Sequence, residues 1–151
     1  MPVKGSFALF LQGNMKGLPG MLENTRDEGL DALEKTIKRF TPVDTGELRK
    51  SIHQENKRRS GPYQYEGTVA TEVDYARSVE YGAAPHIITP NDKKALRFGG
   101  EFAKEIVHPG FVGAHMFLIG TRTFERLELE PIMKKNWKKL MLESTVTGNL
   151  R

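Results

Sequence analysis

Between Met21 and Phe40 the sequence commits to one long amphipathic helix, and the rest of the chain has to pack around it. Leu22, Leu30, Leu33, Ile37 and Phe40 recur at spacings of eight, three, four and three. Those spacings place them on one face of an α-helix. Glu23, Asp27, Glu28, Asp31, Lys35 and Lys38 fill the remaining positions. The acids gather in the first half and the bases near the end, the order that the helix dipole favours. Pro42 stops the helix, because the residue before a proline is pushed out of helical dihedrals. An apolar stripe of this length has to be covered by a sheet face or by other helices.

The sequence around this helix predicts short elements. Gly5 to Gly13 reads as a strand or extended arm, and Asn14 to Gly20, with Gly17, Pro19 and Gly20, reads as a loop. Asp44-Thr-Gly-Glu47 has the form of a capping box, with Asp44 as the N-cap of a short turn through Leu48. A strand over Ser51 to Glu55, a basic loop from Asn56 to Pro62 and a β-branched strand over Tyr65 to Val73 together read as a hairpin. Asp74 to Gly82 predicts a small helix capped by Asp74, with Tyr75, Val79 and Ala76 facing inward and Gly82 as its exit. Ile87 to Thr89, Ala95 to Phe98 and Phe102 to Val107 predict three short strands. Pro90-Asn-Asp, Gly99-Gly100 and His108-Pro-Gly110 supply turns. A last helix is expected from Thr121 or Thr123, kinked or split by Pro131. Its apolar face is Met133, Trp137, Leu140 and Met141, and its basic face Lys134, Lys135, Lys138 and Lys139. Ser144 to Arg151 has little to bury and is expected to fray.

With 151 residues, one hydrophobic core is the natural limit. The expected organisation is an N-terminal strand or arm over residues 1–20, a single domain over 21–145 and a flexible tail over 146–151. The expected fold class is α+β. A long N-terminal helix and a C-terminal helix pack on a mostly antiparallel sheet of short strands, with a small helix near 74–82.

Catalytic patterns are weak throughout. The chain has no cysteine, which removes disulfides, thiol nucleophiles and Cys-built zinc sites. His53, His86, His108 and His115 are scattered, and a metal site from His108 and His115 has less support than ordinary turn and surface histidines. Glu72, Asp74 and Glu80 lie close enough in sequence to mimic an acid–base pair, but capping explains Asp74 without chemistry. Ser51, Ser60 and Ser78 lack a nucleophile-elbow surround, and Gly99-Gly100 lacks the phosphate-loop form. No catalytic residue, cofactor or metal is expected. No segment reaches the roughly 18 apolar residues of a membrane span. The longest apolar run, near Phe7 to Leu11, is too short for the core of a signal peptide.

The net charge of +4 permits contact with nucleic acid without requiring it. Two basic clusters stand out, Lys57-Arg58-Arg59 and the lysines from Lys134 to Lys139. The first reads as a solvated hairpin tip or as a mobile contact arm for a partner or DNA. The second shares a helix with Trp137, which is expected to face the core.

Two stretches together resemble the tail-component family of tailed phages, whose members are described as minor tail, tail-completion, neck or head–tail joining proteins. Thr41-Pro-Val-Asp-Thr-Gly-Glu-Leu-Arg-Lys-Ser-Ile52 is similar to the family's P-x-D-T-G-x-L-x-x-S segment, carried here by Pro42, Asp44, Thr45, Gly46, Leu48 and Ser51. Val73-Asp-Tyr-Ala-Arg-Ser-Val-Glu-Tyr-Gly82 is similar to its Y-A-x-x-V-E-x-G run, carried by Tyr75, Ala76, Val79, Glu80 and Gly82. Further on, His86 to Pro90 and Lys94 to Phe98 resemble the family's variable hairpin, and His108, Pro109 and Gly110 its H-P-G turn. One departure is clear. The family usually follows that turn with a P-F-L-R-P-A type run into the last helix. Here the chain reads Ala114-His-Met-Phe-Leu-Ile-Gly-Thr121, with Phe117 and Leu118 kept and both prolines missing.

The resemblance implies a non-enzymatic virion protein, assembled in the host cytoplasm and located in the tail or neck. It implies a homo-oligomeric ring, six subunits or else twelve, that joins head to tail and lets DNA pass. The implied partners are neighbouring neck, connector or tail-tube proteins, with sequence-blind contact to DNA in the channel and no membrane. The motif residues take structural roles. Gly46 allows close backbone approach, and Tyr75, Val79 and Tyr81 pack the small helix on the sheet. The alternative is a free-standing nucleic-acid-binding domain, with both basic clusters on one surface.

Overall fold

The computed structural model describes residues 3–10, 17–90, 95–98 and 100–148. Strand β1 (Val3–Phe10) is followed by helix α1 (Leu18–Phe40), the short helix α2 (Glu47–Ser51) and the hairpin β2 (His53–Gly61) and β3 (Gln64–Thr71). Helix α3 (Ala76–Tyr81) leads into six short strands: β4 (Gly82–Ala83), β5 (His86–Ile88), β6 (Leu96–Phe98), β7 (Glu101–Ala103), β8 (Ile106–His108) and β9 (Phe111–Val112). Helices α4 (Met116–Leu127) and α5 (Leu129–Gly148) complete the chain. The class is α+β with a long N-terminal helix, as the sequence predicts. The strands do not form one sheet, however. A three-stranded antiparallel sheet in the order β1-β3-β2 is joined by three separate two-stranded ladders, β4-β9, β5-β8 and β6-β7.

The apolar stripe of α1 is the centre of the core. Leu30, Leu33 and Ile37 pack with Leu48 and Ile52, Val69 of β3, Ala76 of α3 and Met116, Phe117 and Phe124 of α4. A second cluster joins Leu18, Met21 and Leu22 to Tyr65 and to Leu140 of α5. Two glycines let the layers approach. A Cβ at Gly120 would lie 2.7 Å from Ile37 Cγ1, and one at Gly67 would strike the Leu30 side chain. Helix α5 runs back along α1. The Thr36 hydroxyl donates to Glu128 at 2.8 Å, Lys135 donates to Glu28 at 3.0 Å, and Leu140 reaches the first turn of α1.

Several local expectations are corrected. Helix α1 begins three residues earlier than its periodicity indicates, so Leu18 to Gly20 are helical rather than loop. Gly17 takes the N-cap with positive φ and Pro19 sits in the first turn, where its missing N–H costs nothing. Asp44 does not cap α2. Gly46 is the N-cap, and Thr45 Oγ1 accepts the Glu47 N–H at 3.3 Å. Asp74 does not cap α3 either, since Tyr75 holds that position without a side-chain hydrogen bond. The expected basic loop is strand. Residues 56–61 belong to β2, which is bulged between Glu55 and Arg58 and again before Gly61, with Asn56 at φ 55°.

The stretch Phe102 to Val107 is divided between β7 and β8 by a bend. Thr121 and Thr123 lie inside α4, whose N-cap is His115 in the left-handed region. Pro131 does split the C-terminal helix. The break falls at Glu128, which places Pro131 in the first turn of α5. Helix α5 continues to Gly148, past the expected fraying point. Its inward positions are Ile132, Met133, Asn136 and Leu140, and Trp137 is exposed rather than core. Helix α3 turns Ala76 and Glu80 inward with Val79 half-buried, and leaves Tyr75 and Tyr81 exposed. The Pro90-Asn-Asp turn beyond Pro90, Gly99, residues 11–16 and the last three residues of the tail lie outside the described residues.

Candidate assembly interface

The two motif segments meet in space. Pro42, Val43, Asp44, Thr45, Gly46, Glu47 and Leu48 line one side of a groove of about 350 Å³, and Tyr75 and Val79 line the other. The Tyr75 hydroxyl closes the join by donating to Glu47 Oε2 at 3.3 Å. The Tyr75 phenol is held above its ordinary pKa, first by partial desolvation and then by the negative charge and hydrogen bond of Glu47.

Each motif residue has an identifiable task. The hydroxyl of Ser51 donates to Leu48 O at 2.8 Å, which leaves Thr71 Oγ1 to donate to Ser51 at 2.6 Å. The first segment is thereby tied to the end of β3. Leu48 and Ala76 are buried in the main core. Gly46 has φ 82° and no atom within 4 Å of where its Cβ would lie, so its role is the left-handed backbone and not close approach. Gly46→Ala is therefore expected to destabilise by about 1 kcal/mol, and Gly46→Asn by less, because Asn tolerates this region. Urea unfolding midpoints would measure both.

Glu80 does more than the sequence indicates. Its residue is 2% exposed, and its two carboxylate oxygens accept the N–H groups of Phe117 at 2.9 Å and Leu118 at 3.2 Å. It caps α4 from another element. The backbone locks the same junction, with Ala114 N–H donating to Val79 O at 2.7 Å and His115 N–H to Glu80 O at 3.0 Å. Glu72 and Asp74 are exposed, and Glu80 is committed to α4. The three do not form an acid–base pair.

The H-P-G turn joins β8 to β9. His108 Nδ1 accepts the Gly110 N–H at 3.0 Å, so that nitrogen carries no proton. The His108 ring stacks on His86 of the paired strand with centroids 4.9 Å apart. His115 serves as the N-cap of α4. Among the described residues, no group of three or more His, Asp or Glu is placed to hold a metal ion.

The basic cluster on β2 is engaged with its own fold. Lys57 Nζ lies 3.8 Å from Asp27, Arg58 pairs with Glu66, and Arg59 donates to the carbonyls of Gly61 at 2.9 Å and Pro62 at 2.7 Å while standing over the Tyr65 ring. The cluster lies on a bulged strand of the hairpin rather than in a loop.

The exposed apolar surface lies elsewhere. Among the described residues from 81 to 115 none is buried. Phe102 is 75% exposed and Val112 89%, with Ile87 and Val107 also open to solvent. Two-stranded ladders also leave outer strand edges able to pair with another chain. Apolar side chains gathered on such a segment mark a contact surface.

Residues 21–82 match the HK97-gp10-like family, described as “Bacteriophage HK97-gp10, putative tail-component”. The match runs from the first turns of α1 to the glycine that ends α3, and so contains both sides of the groove. The HK97-gp10-like stretch stops before the open strands, α4 and α5. No curated protein and no solved structure matches the chain. Among the described residues, no helix is long and apolar enough to cross a membrane.

Proposed function

We propose that the chain is a non-enzymatic structural protein of a tailed-phage virion, forming a homo-oligomeric ring of six subunits, or else twelve, in the neck or at the top of the tail. The ring joins head to tail and lets DNA pass. The observation that carries this reading is the match of residues 21–82 to a phage tail-component family. The exposed apolar strands from β4 to β9 support it, because they suit contact with neighbouring subunits or with neck, connector or tail-tube proteins. Assembly takes place in the host cytoplasm, and any contact with DNA in the channel is to phosphates.

The nucleic-acid-module alternative needs free basic faces. Lys57 and Arg58 pair with acids, and Lys135 pairs with Glu28. The deciding experiment is deletion of the coding sequence from the phage genome, with mass spectrometry of purified particles. The expected result is that the chain is found in wild-type particles and that the deletion leaves filled heads and unjoined tails. Infectious, joined particles from the deletion would overturn the reading.

A further inference from the structure

Two exposed features are left without a task by the fold, and they match. The first is Trp137. It is 42% exposed on α5, although it is the only tryptophan of the chain. The inward stripe of α5 is carried without it, by Ile132, Asn136 and Leu140, and Asn136 takes its place by donating to Glu28 and to Ile132 O, both at 3.2 Å. Lys134 and Met141 stand three and four positions from Trp137, which groups them with it on one outer face, and Lys138, four positions after Lys134, lies along the edge of that face. Glu130 lies on the same stripe and pairs with Lys134, but the pair is exposed and free to exchange partners, so the face is an aromatic centre with Lys138 and that pair at its rim and a net positive charge. Such exposed tryptophans, ringed by polar groups, are the side chains on which interface energy concentrates.

The second feature is the motif groove. Its lining holds two charged residues, Asp44 and Glu47, both acidic and both exposed, around the apolar surfaces of Pro42, Val43 and Tyr75. Its volume of about 350 Å³ is at the small end of the ligand-pocket range. That size suits one bulky side chain better than a cofactor.

The same molecule cannot bring the two together. Helix α5 runs antiparallel to α1, with Glu128 beside Thr36, Lys135 beside Glu28 and Leu140 beside the first turn. Trp137 therefore lies level with the N-terminal half of α1, whereas the groove opens beyond its C-terminal end at Pro42. At about 1.5 Å per helical residue the two are some 20 Å or more apart. The charges are complementary and both surfaces have an apolar centre, so a second copy carries what each surface lacks.

We infer that copies of this chain join head to tail, the Trp137 face of α5 on one copy seating in the Pro42–Tyr75 groove of the next. This deepens the ring reading above and rests on it. Each subunit offers one donor face and one acceptor face, the heterologous arrangement that closes into a ring when the rotation between neighbours allows. The occupied groove excludes water from Val43 and Tyr75, and Asp44 and Glu47 meet Lys134 and Lys138 at its rim.

The test uses the full chain and two charge-reversed variants. One carries Lys134→Glu and Lys138→Glu, the other Asp44→Lys and Glu47→Lys; circular dichroism checks that both fold. Mass is followed by light scattering across concentration. Trp137 emission reports the contact directly, because no other tryptophan contributes. The wild type is expected to assemble with a blue shift of that emission. Each variant alone sets like charges against like, and its assembly midpoint is expected to rise at least about tenfold. An equal mixture of the two variants pairs opposite charges at every contact and is expected to restore both mass and emission. A wild type that stays monomeric at every concentration, variants that assemble as the wild type does, or a mixture that restores nothing would overturn the contact. Presence in particles and the deletion phenotype are read separately, so failure of this contact and failure of the virion reading are distinguishable.

Discussion

Glu80→Ala is expected to lower the stability of the fold by about 3 kcal/mol. The carboxylate is buried and accepts two backbone N–H groups at the start of α4. Its removal strands both donors, and each unsatisfied buried donor costs about 1–3 kcal/mol. The favourable interaction of a negative charge with a helix N-terminus, about 0.3–1 kcal/mol at ordinary sites, is lost as well. Glu80→Gln keeps one acceptor oxygen and turns an NH2 group toward the second N–H, so about half the loss is expected. Glu80→Asp keeps the charge but is one methylene too short to reach both donors. Urea denaturation of the three variants would rank them as Asp and Gln between wild type and Ala. An Ala variant within about 0.5 kcal/mol of wild type, the usual range for neutral surface changes, would show that solvent replaces the carboxylate and that the cap is not structural.

The course of α1 could be read from the sequence because its signals are local. The apolar spacing and the proline stop act within a few residues of each other. Its true start was hidden because Gly17-Leu-Pro-Gly20 has loop composition, although a proline in a first turn is compatible with helix. The cap of α4 could not be read in the same way. Thr121 and Thr123 are plausible local caps, but the real one is Glu80, more than thirty residues upstream and on another helix. Strand β2 was hidden because Lys57-Arg58-Arg59 shows no alternation. The bulge at Asn56 resets the pairing register, and ion pairs to Asp27 and Glu66 replace apolar burial.

Trp137 was misplaced for a related reason. Hydrophobicity alone puts the larger apolar residue inward. The helix restarts after Glu128 with a phase that turns Asn136 toward α1, where Glu28 satisfies its amide. The two motif segments were visible as patterns about thirty residues apart. That they form opposite walls of one groove follows from the β2–β3 hairpin, which folds the chain back so that Tyr75, at the start of α3, meets Glu47, at the start of α2.

Gly82→Ala is expected to destabilise the fold by about 4 kcal/mol. Gly82 ends α3 at φ 83° and ψ −178°, a combination that is essentially glycine-only and that costs other residues about 1–3 kcal/mol. The turn also leaves no room. A Cβ there would lie 2.7 Å from Gly113 N and closer still to Phe111 O, both backbone atoms of the strand that pairs with β4 or its next residue. Backbone cannot rotate aside as a flexible side chain does, so a further penalty of about 1–3 kcal/mol for overpacking is expected. The damage spreads, because Val79 O and Glu80 O accept from Ala114 and His115 just beyond the same contact. Shifting β9 to admit the methyl group would draw on those bonds and on the Glu80 cap. Gly20→Ala is the control. It lies in the exposed first turn of α1 with nothing within 4 Å of its Cβ, and replacing a helical glycine by alanine is expected to stabilise by about 0.5–1 kcal/mol. The two alanine variants should therefore move the urea midpoint in opposite directions. A Gly82→Ala protein as stable as wild type would mean that the α3–β4 junction is not held in the conformation described.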